Sequence, residues 1–101
     1  MKTEITNTIE SRELELYIEN EKAWIERIEA MAVKRLKAGT FDLTLGIKGA
    51  MHTANLAAKD YKLHFGSMTD KWSDMFTKKD RELACESILL GIVAEYKLGN
   101  Y

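Results

Sequence analysis

Few residues in this chain have the type and spacing that chemistry requires. His52 and His64 stand twelve residues apart on different faces of one expected helix, so they cannot share a metal ion. Glu82 and Glu86 are one helical turn apart but lack the Glu-x-x-His companion of a di-metal bundle site. The single cysteine, Cys85, falls inside the apolar run LACESILL, where burial raises a thiol pKa and favours a structural role over a nucleophilic one. One cysteine allows neither an intrachain disulfide nor a zinc or iron–sulfur cluster, which points to a reducing compartment. Gly46 and Gly49 lie in LGIKGAM, inside an expected helix and not in the loop before a helix start that a phosphate cradle needs. With Ala50, Thr53 and Ala57 they read as a small-residue strip that lets another helix approach. No dinucleotide, P-loop, zinc-protease or nucleophile-elbow string occurs. The expectation is no catalytic residue, no metal and no cofactor: the protein is not an enzyme.

Binding chemistry is better represented. Residues 1–33 carry four basic and eight acidic side chains, whereas residues 34–64 carry six basic and two acidic, so a near-neutral chain has an acidic first third and a basic centre. On a helical wheel Lys48, His52, Asn55, Lys59 and Lys62 fall within about 40° of one line, a polar and largely basic stripe four turns long. Such a stripe can track phosphates, and His52 or Asn55 can meet base edges, which makes nucleic-acid or nucleotide binding the alternative reading. A sequence pI near 6.1 is low for a dedicated nucleic-acid binder. Beside the stripe, Leu45, Leu56 and Leu63 lie nearly opposite the expected core face of Leu43, Ile47, Met51, Ala54, Ala58, Tyr61 and Phe65. Leucines flanked by lysines have the anatomy of a binding patch, apolar at its centre and charged at its rim.

The elements that position these residues are helical. The chain has no proline, is rich in Ala, Leu, Glu and Lys, and shows apolar spacings of three, four and seven with no strand-like alternation. A first, acidic helix is expected over 11–38, capped by Ser11 and closed by Gly39, with a break at Glu19–Lys22 left open. A long helix over 41–65, capped by Thr40 or Asp42, ends at Gly66. A connector over 66–77 includes a short helical turn after Thr69, anchored by Trp72, Met75 and Phe76. Thr77 and Asp80 form a capping box that starts an apolar helix over 78–98. The fold class is thus all-α: one domain, a small bundle of three main helices, the first either whole or split in two. The last helix is apolar around nearly its whole circumference, so completion by oligomerisation is expected, most simply as a homodimer, with Leu45, Leu56, Leu63, Leu89 and Val93 at the partner or oligomer interface. The opening MKTEITNTIESRE lacks a signal-peptide apolar run and no stretch is long enough to span a bilayer, so a cytoplasmic protein without membrane contact is expected.

Three strings, LYIEN at Leu16–Asn20, KAGTFDLTLGIKGAMHTANLAAKDYKLHFG at Lys37–Gly66 and EYKLGNY at Glu95–Tyr101, resemble small accessory proteins encoded by bacteriophages and other mobile elements. The strings consist of cap and packing residues, without a catalytic motif. What the resemblance implies is a kind of role, that of binding a host protein in the bacterial cytoplasm and redirecting or inhibiting it, defence systems included.

Overall fold

In the computed structural model, which describes residues 8–66 and 75–101, the chain enters its first helix at Thr8. Helix α1 spans Ile9–Asn20 and is closed at its start by a reciprocal capping box. The Thr8 hydroxyl accepts from the Ser11 N–H at 2.9 Å, and the Ser11 hydroxyl accepts from the Thr8 N–H at 2.9 Å. Ser11 is therefore the third residue of the helix and not its cap, as the sequence suggested.

The open question of one helix or two over 11–38 resolves as two. Glu21 adopts extended backbone (φ −107°, ψ 105°), ending α1 and preceding α2, Lys22–Ala38. Gly39 closes α2 in the left-handed conformation at φ 73°, and its N–H bonds back to the helix. Helix α3, Leu43–Phe65, takes Asp42 and not Thr40 as its cap, the carboxylate accepting from the Leu45 N–H at 2.9 Å. Helix α4, Lys78–Lys97, opens with the expected Thr77–Asp80 capping box and ends one residue before the expected Leu98. Most of the 66–77 connector, including Trp72 and the place of the expected helical turn, lies outside the described residues. At its end Phe76 is buried and meets the Tyr61 ring edge-on, with centroids 5.1 Å apart.

Among the described residues all regular structure is helical, and three side-chain bonds fix how the helices run. Thr8 donates to Asp80 at 2.7 Å, Ser87 to Glu15 at 2.9 Å and Tyr101 to Glu29 at 2.8 Å. The first two pairs run α1 parallel to α4, and Ile25 and Glu29 of α2 lie beside Ile92, Glu95 and Tyr101 farther along, so α1 and α2 follow one another along α4 across the break at Glu21. Helix α3 returns antiparallel to both. Its Gly49 lies against Met31 of α2, while its Asp60 and Tyr61 bond to Tyr17 and Glu13 of α1.

The core explains two departures from the helical wheel. On α3 the buried residues are Gly46, Ala50, Thr53, Ala54, Ala57 and Ala58, with Leu43, Ile47, Met51 and Tyr61 half-buried at their side and Phe65 exposed. The small residues face inward because helices approach α3 from two sides, and short side chains let the backbones close. A Cβ on Gly46 would stand 3.3 Å from both Leu89 and Phe41 side-chain carbons, so the glycine is what admits them. On α4, Leu83, Ala84, Cys85, Ile88, Leu89 and Ile92 are all buried within the chain, because α4 packs against α1, α2 and α3 alike. The split of the first segment supplies the cover that three helices alone would have lacked. Leu89, expected at a partner interface, is fully enclosed by its own chain, and Val93 is half-buried.

Candidate interaction surface

The side of α3 that turns away from this core carries the residues singled out for binding. Leu45 is 62% exposed and Leu63 80%, while Leu56 between them is half-buried. Lys48, His52 and Lys59 are exposed on the same side, and Lys62 and Asn55 are half-buried toward its margin. The basic stripe and the leucines thus share one outward face, with Asn55 turned partly inward. Its Oδ1 atom is buried without a hydrogen-bond partner among the described residues. No described carboxylate pairs with Lys48, Lys62 or Arg35, which leaves their charge to the solvent side.

At the Leu45 end the face is not flat. Met31 and Arg35 of α2, Thr40, Phe41 and Asp42 of the intervening turn, and Leu45, Gly46 and Gly49 of α3 line a cavity of about 140 Å³. Its shape follows from local sequence. Gly39 reverses the chain, Asp42 starts α3 at once, and the short turn between them lays the Phe41 ring against Gly46. Met31 rests 3.5 Å from where a Gly49 Cβ would lie. The result is an apolar hollow floored by helix backbone, with one cation and one anion at its lip. Sequence reasoning found Leu45 and both glycines but not Met31, Arg35 and Phe41, which reach the hollow only because the Gly39 turn folds α2 back on α3.

The opposite end of α3 is aromatic. The Tyr17 and Tyr61 rings meet edge-on at 5.2 Å, Tyr61 and Phe65 lie 4.9 Å apart, and the Tyr17 hydroxyl donates to the Asp60 carboxylate. Burial and the neighbouring Asp60 carboxylate push the Tyr17 hydroxyl up to about 12, so it stays a donor. His64 lies beside Asp60 in the last turn of α3, its Nδ1 2.9 Å from the Asp60 carbonyl. Its ring is on a different side of α3 from His52, which stands exposed on the outward face.

The residues with catalytic potential cluster on α4 but differ in exposure. Cys85 is buried, and desolvation pushes its thiol up to about 12, which keeps it protonated and unreactive. Glu82 and Glu86 line a cleft of about 250 Å³ with Thr44, Ile47, Lys48, Lys79 and Leu83, a mixed-charge groove between α3 and α4. Among the described residues there is no group of three metal-capable side chains, and no helix is long and apolar enough to cross a membrane. No protein-family model, no curated protein and no solved structure matches the chain.

Proposed function

We propose that this protein works by binding another protein and not by catalysis, with the outward face of α3 as its contact surface and the Met31–Phe41–Leu45 hollow as its anchor point. The observation that carries the reading is Leu45, 62% exposed at the lip of an apolar cavity. A large apolar side chain held in water beside a ready-made hollow is the arrangement that a partner's aliphatic or aromatic residue completes. Arg35 and Asp42 at the lip offer one charge of each sign to polar groups at the edge of a partner's contact. Together with the resemblance of LYIEN, the Lys37–Gly66 string and EYKLGNY to accessory proteins of bacteriophages and mobile elements, this supports a protein that docks on a host protein in the bacterial cytoplasm and modulates or inhibits it by occlusion.

The alternative, nucleic-acid or nucleotide binding through Lys48, His52, Asn55, Lys59 and Lys62, draws less support. Phosphate tracking favours an uninterrupted polar track, whereas Leu45, Leu56 and Leu63 lie along this one. The two readings separate in an affinity capture from bacterial lysate with and without nuclease, run on the wild type and on Leu45→Asp. Protein binding predicts a captured protein that survives nuclease and is lost with Leu45→Asp. Nuclease-sensitive retention, abolished by Lys59→Glu with Lys62→Glu and indifferent to Leu45→Asp, would replace it with the alternative.

A further inference from the structure

The α3 face is longer than one anchor needs, and its two halves differ. Around Leu45 there is a cavity, whereas around Leu56 and Leu63 there is an open apolar ridge flanked by lysines. We infer that this second half is covered by α1 of another copy of the same chain, and that the exchange is mutual, giving a two-fold dimer. The inference rests on the reading of α3's outward face as an interaction surface and names the occupant of one part of it.

Three features of the molecule select that occupant. First, α1 displays a matching ridge. Ile9 is 76% exposed and Leu16 42%, seven residues apart, the same interval as Leu56 to Leu63. Two helical turns separate the apolar residues in each case, so two ridges of about 10 Å can lie side by side over both contacts. Second, the charges complement one another. Exposed Glu10, Glu13 and Glu19 surround the α1 ridge against a single Arg12, while Lys59 and Lys62 flank the α3 ridge. The acidic first third of one chain thereby meets the basic centre of the other. Third, the fold permits closure. Helices α1 and α3 are antiparallel neighbours, joined by Tyr17 to Asp60 and by Tyr61 to Glu13 at 3.0 Å. A two-fold axis running parallel to the helices, between α1 and α3, lays each α1 over the partner's α3 and each α3 over the partner's α1. Both contacts form at once and no unpaired surface remains to propagate a filament. At 12 residues α1 is about 18 Å long, roughly half of the 23-residue α3, so α1 itself reaches only the Leu56–Leu63 half of the face.

The test is a charge exchange read by light scattering and sedimentation at low salt. The wild type should have about twice the 11.6 kDa mass of one chain, and added salt should weaken it. Glu10→Lys with Glu19→Lys makes both faces basic, and Lys59→Glu with Lys62→Glu makes both acidic. Each double variant alone should be a monomer with unchanged helical circular dichroism, and an equimolar mixture of the two should regain the dimer mass. Leu16→Glu offers a second route should a charge variant fold poorly: it should raise the dissociation constant at least about tenfold, because it buries a charge at the contact. A monomeric wild type at high concentration overturns the inference, as does a dimer that neither charge variant weakens. Capture of an acidic amphipathic peptide by a monomeric wild type would also overturn it, by making the occupant a foreign helix. Leu45→Asp keeps the two readings apart, since it should abolish capture of a host protein while leaving the dimer mass intact.

Discussion

Asp80 does more for this fold than its place in a helical first turn suggests. Its carboxylate closes the capping box of α4 by accepting from the Thr77 N–H at 3.0 Å, and it also accepts from the Thr8 hydroxyl at 2.7 Å. One buried side chain thus caps one helix and clasps the cap of another, 72 residues away in sequence. Burial opposes its ionisation, but the bonds from Thr8 and Thr77 and the charge of Arg81 outweigh it and hold the carboxyl below its ordinary range. A carboxylate with a depressed folded pKa adds stability that is present above the unfolded value of 3.8 and lost as pH falls through the lowered one. Asp80→Asn should therefore cost about 1–3 kcal/mol near neutral pH, and its deficit should shrink as the pH is taken below that range. Urea midpoints of both proteins across an acid titration check this, and a deficit independent of pH would refute it. Cys85 makes the opposite case of a reactive group silenced by its surroundings. A thiol reagent should label it only after unfolding, at a rate that tracks denaturant and not added base.

At the scale of elements, three mid-helix glycines give different answers to the same substitution. Added to Gly91, a Cβ meets nothing within 4 Å, and at Gly49 it makes ordinary contact with Met31 at 3.5 Å. Alanine at either position should stabilise the protein by about 0.5–1 kcal/mol through backbone entropy and helix propensity. At Gly46 the same methyl stands 3.3 Å from Leu89 and Phe41, and Leu89 is fully buried with little room to yield, so Gly46→Ala should be neutral or destabilising. Thermal melts of the three variants decide it. The break at Glu21 gives a fourth expectation. Glu21 precedes α2 in extended backbone without a side-chain cap bond, so Glu21→Asp should supply that bond and raise stability by about 1 kcal/mol or less. These sites also mark what could be read in the sequence. Asp42, Gly39 and the Thr77–Asp80 pair were legible because caps are local chemistry. The break at Glu21 was ambiguous because neither proline nor glycine marks it. The expected core face of α3 is right at Ala54 and Ala58, with Leu43, Ile47, Met51 and Tyr61 packed at its side, but it omits Ala50 and Ala57, which close helix packing puts inward, and includes Phe65, which is exposed. Leu45 and Leu63 were found because exposure opposite a core survives that rotation, while the hollow formed by Met31 and Phe41 depends on how two helices fold together.

For the molecule as a whole, the four helices of the described residues share one stability. At 12 residues α1 is in the range where an isolated helix is marginal in water, and helices in proteins draw most of their stability from packing, so each depends on burial against the others. Helix α4 touches all three, and its residues Leu83 to Ile92 form the seam where they meet. The Thr8–Asp80 and Glu15–Ser87 bonds tie α1 to that one rod and α2 packs along it, so neither can leave without opening the same core. A single cooperative transition follows, with the slowest amide exchange over Leu83–Ile92 and a free energy there equal to that of global unfolding. Ile88→Ala should remove about 2–5 kcal/mol and accelerate exchange in α1, α2 and α3 together. Leu63→Ala, at a position 80% exposed in the single chain, should change monomer stability by less than about 0.5 kcal/mol. If Ile88→Ala instead loosened α4 and α3 while α1 kept its protection, α1 would be an independent unit and the parallel clasp along α4 would not bind the fold into one.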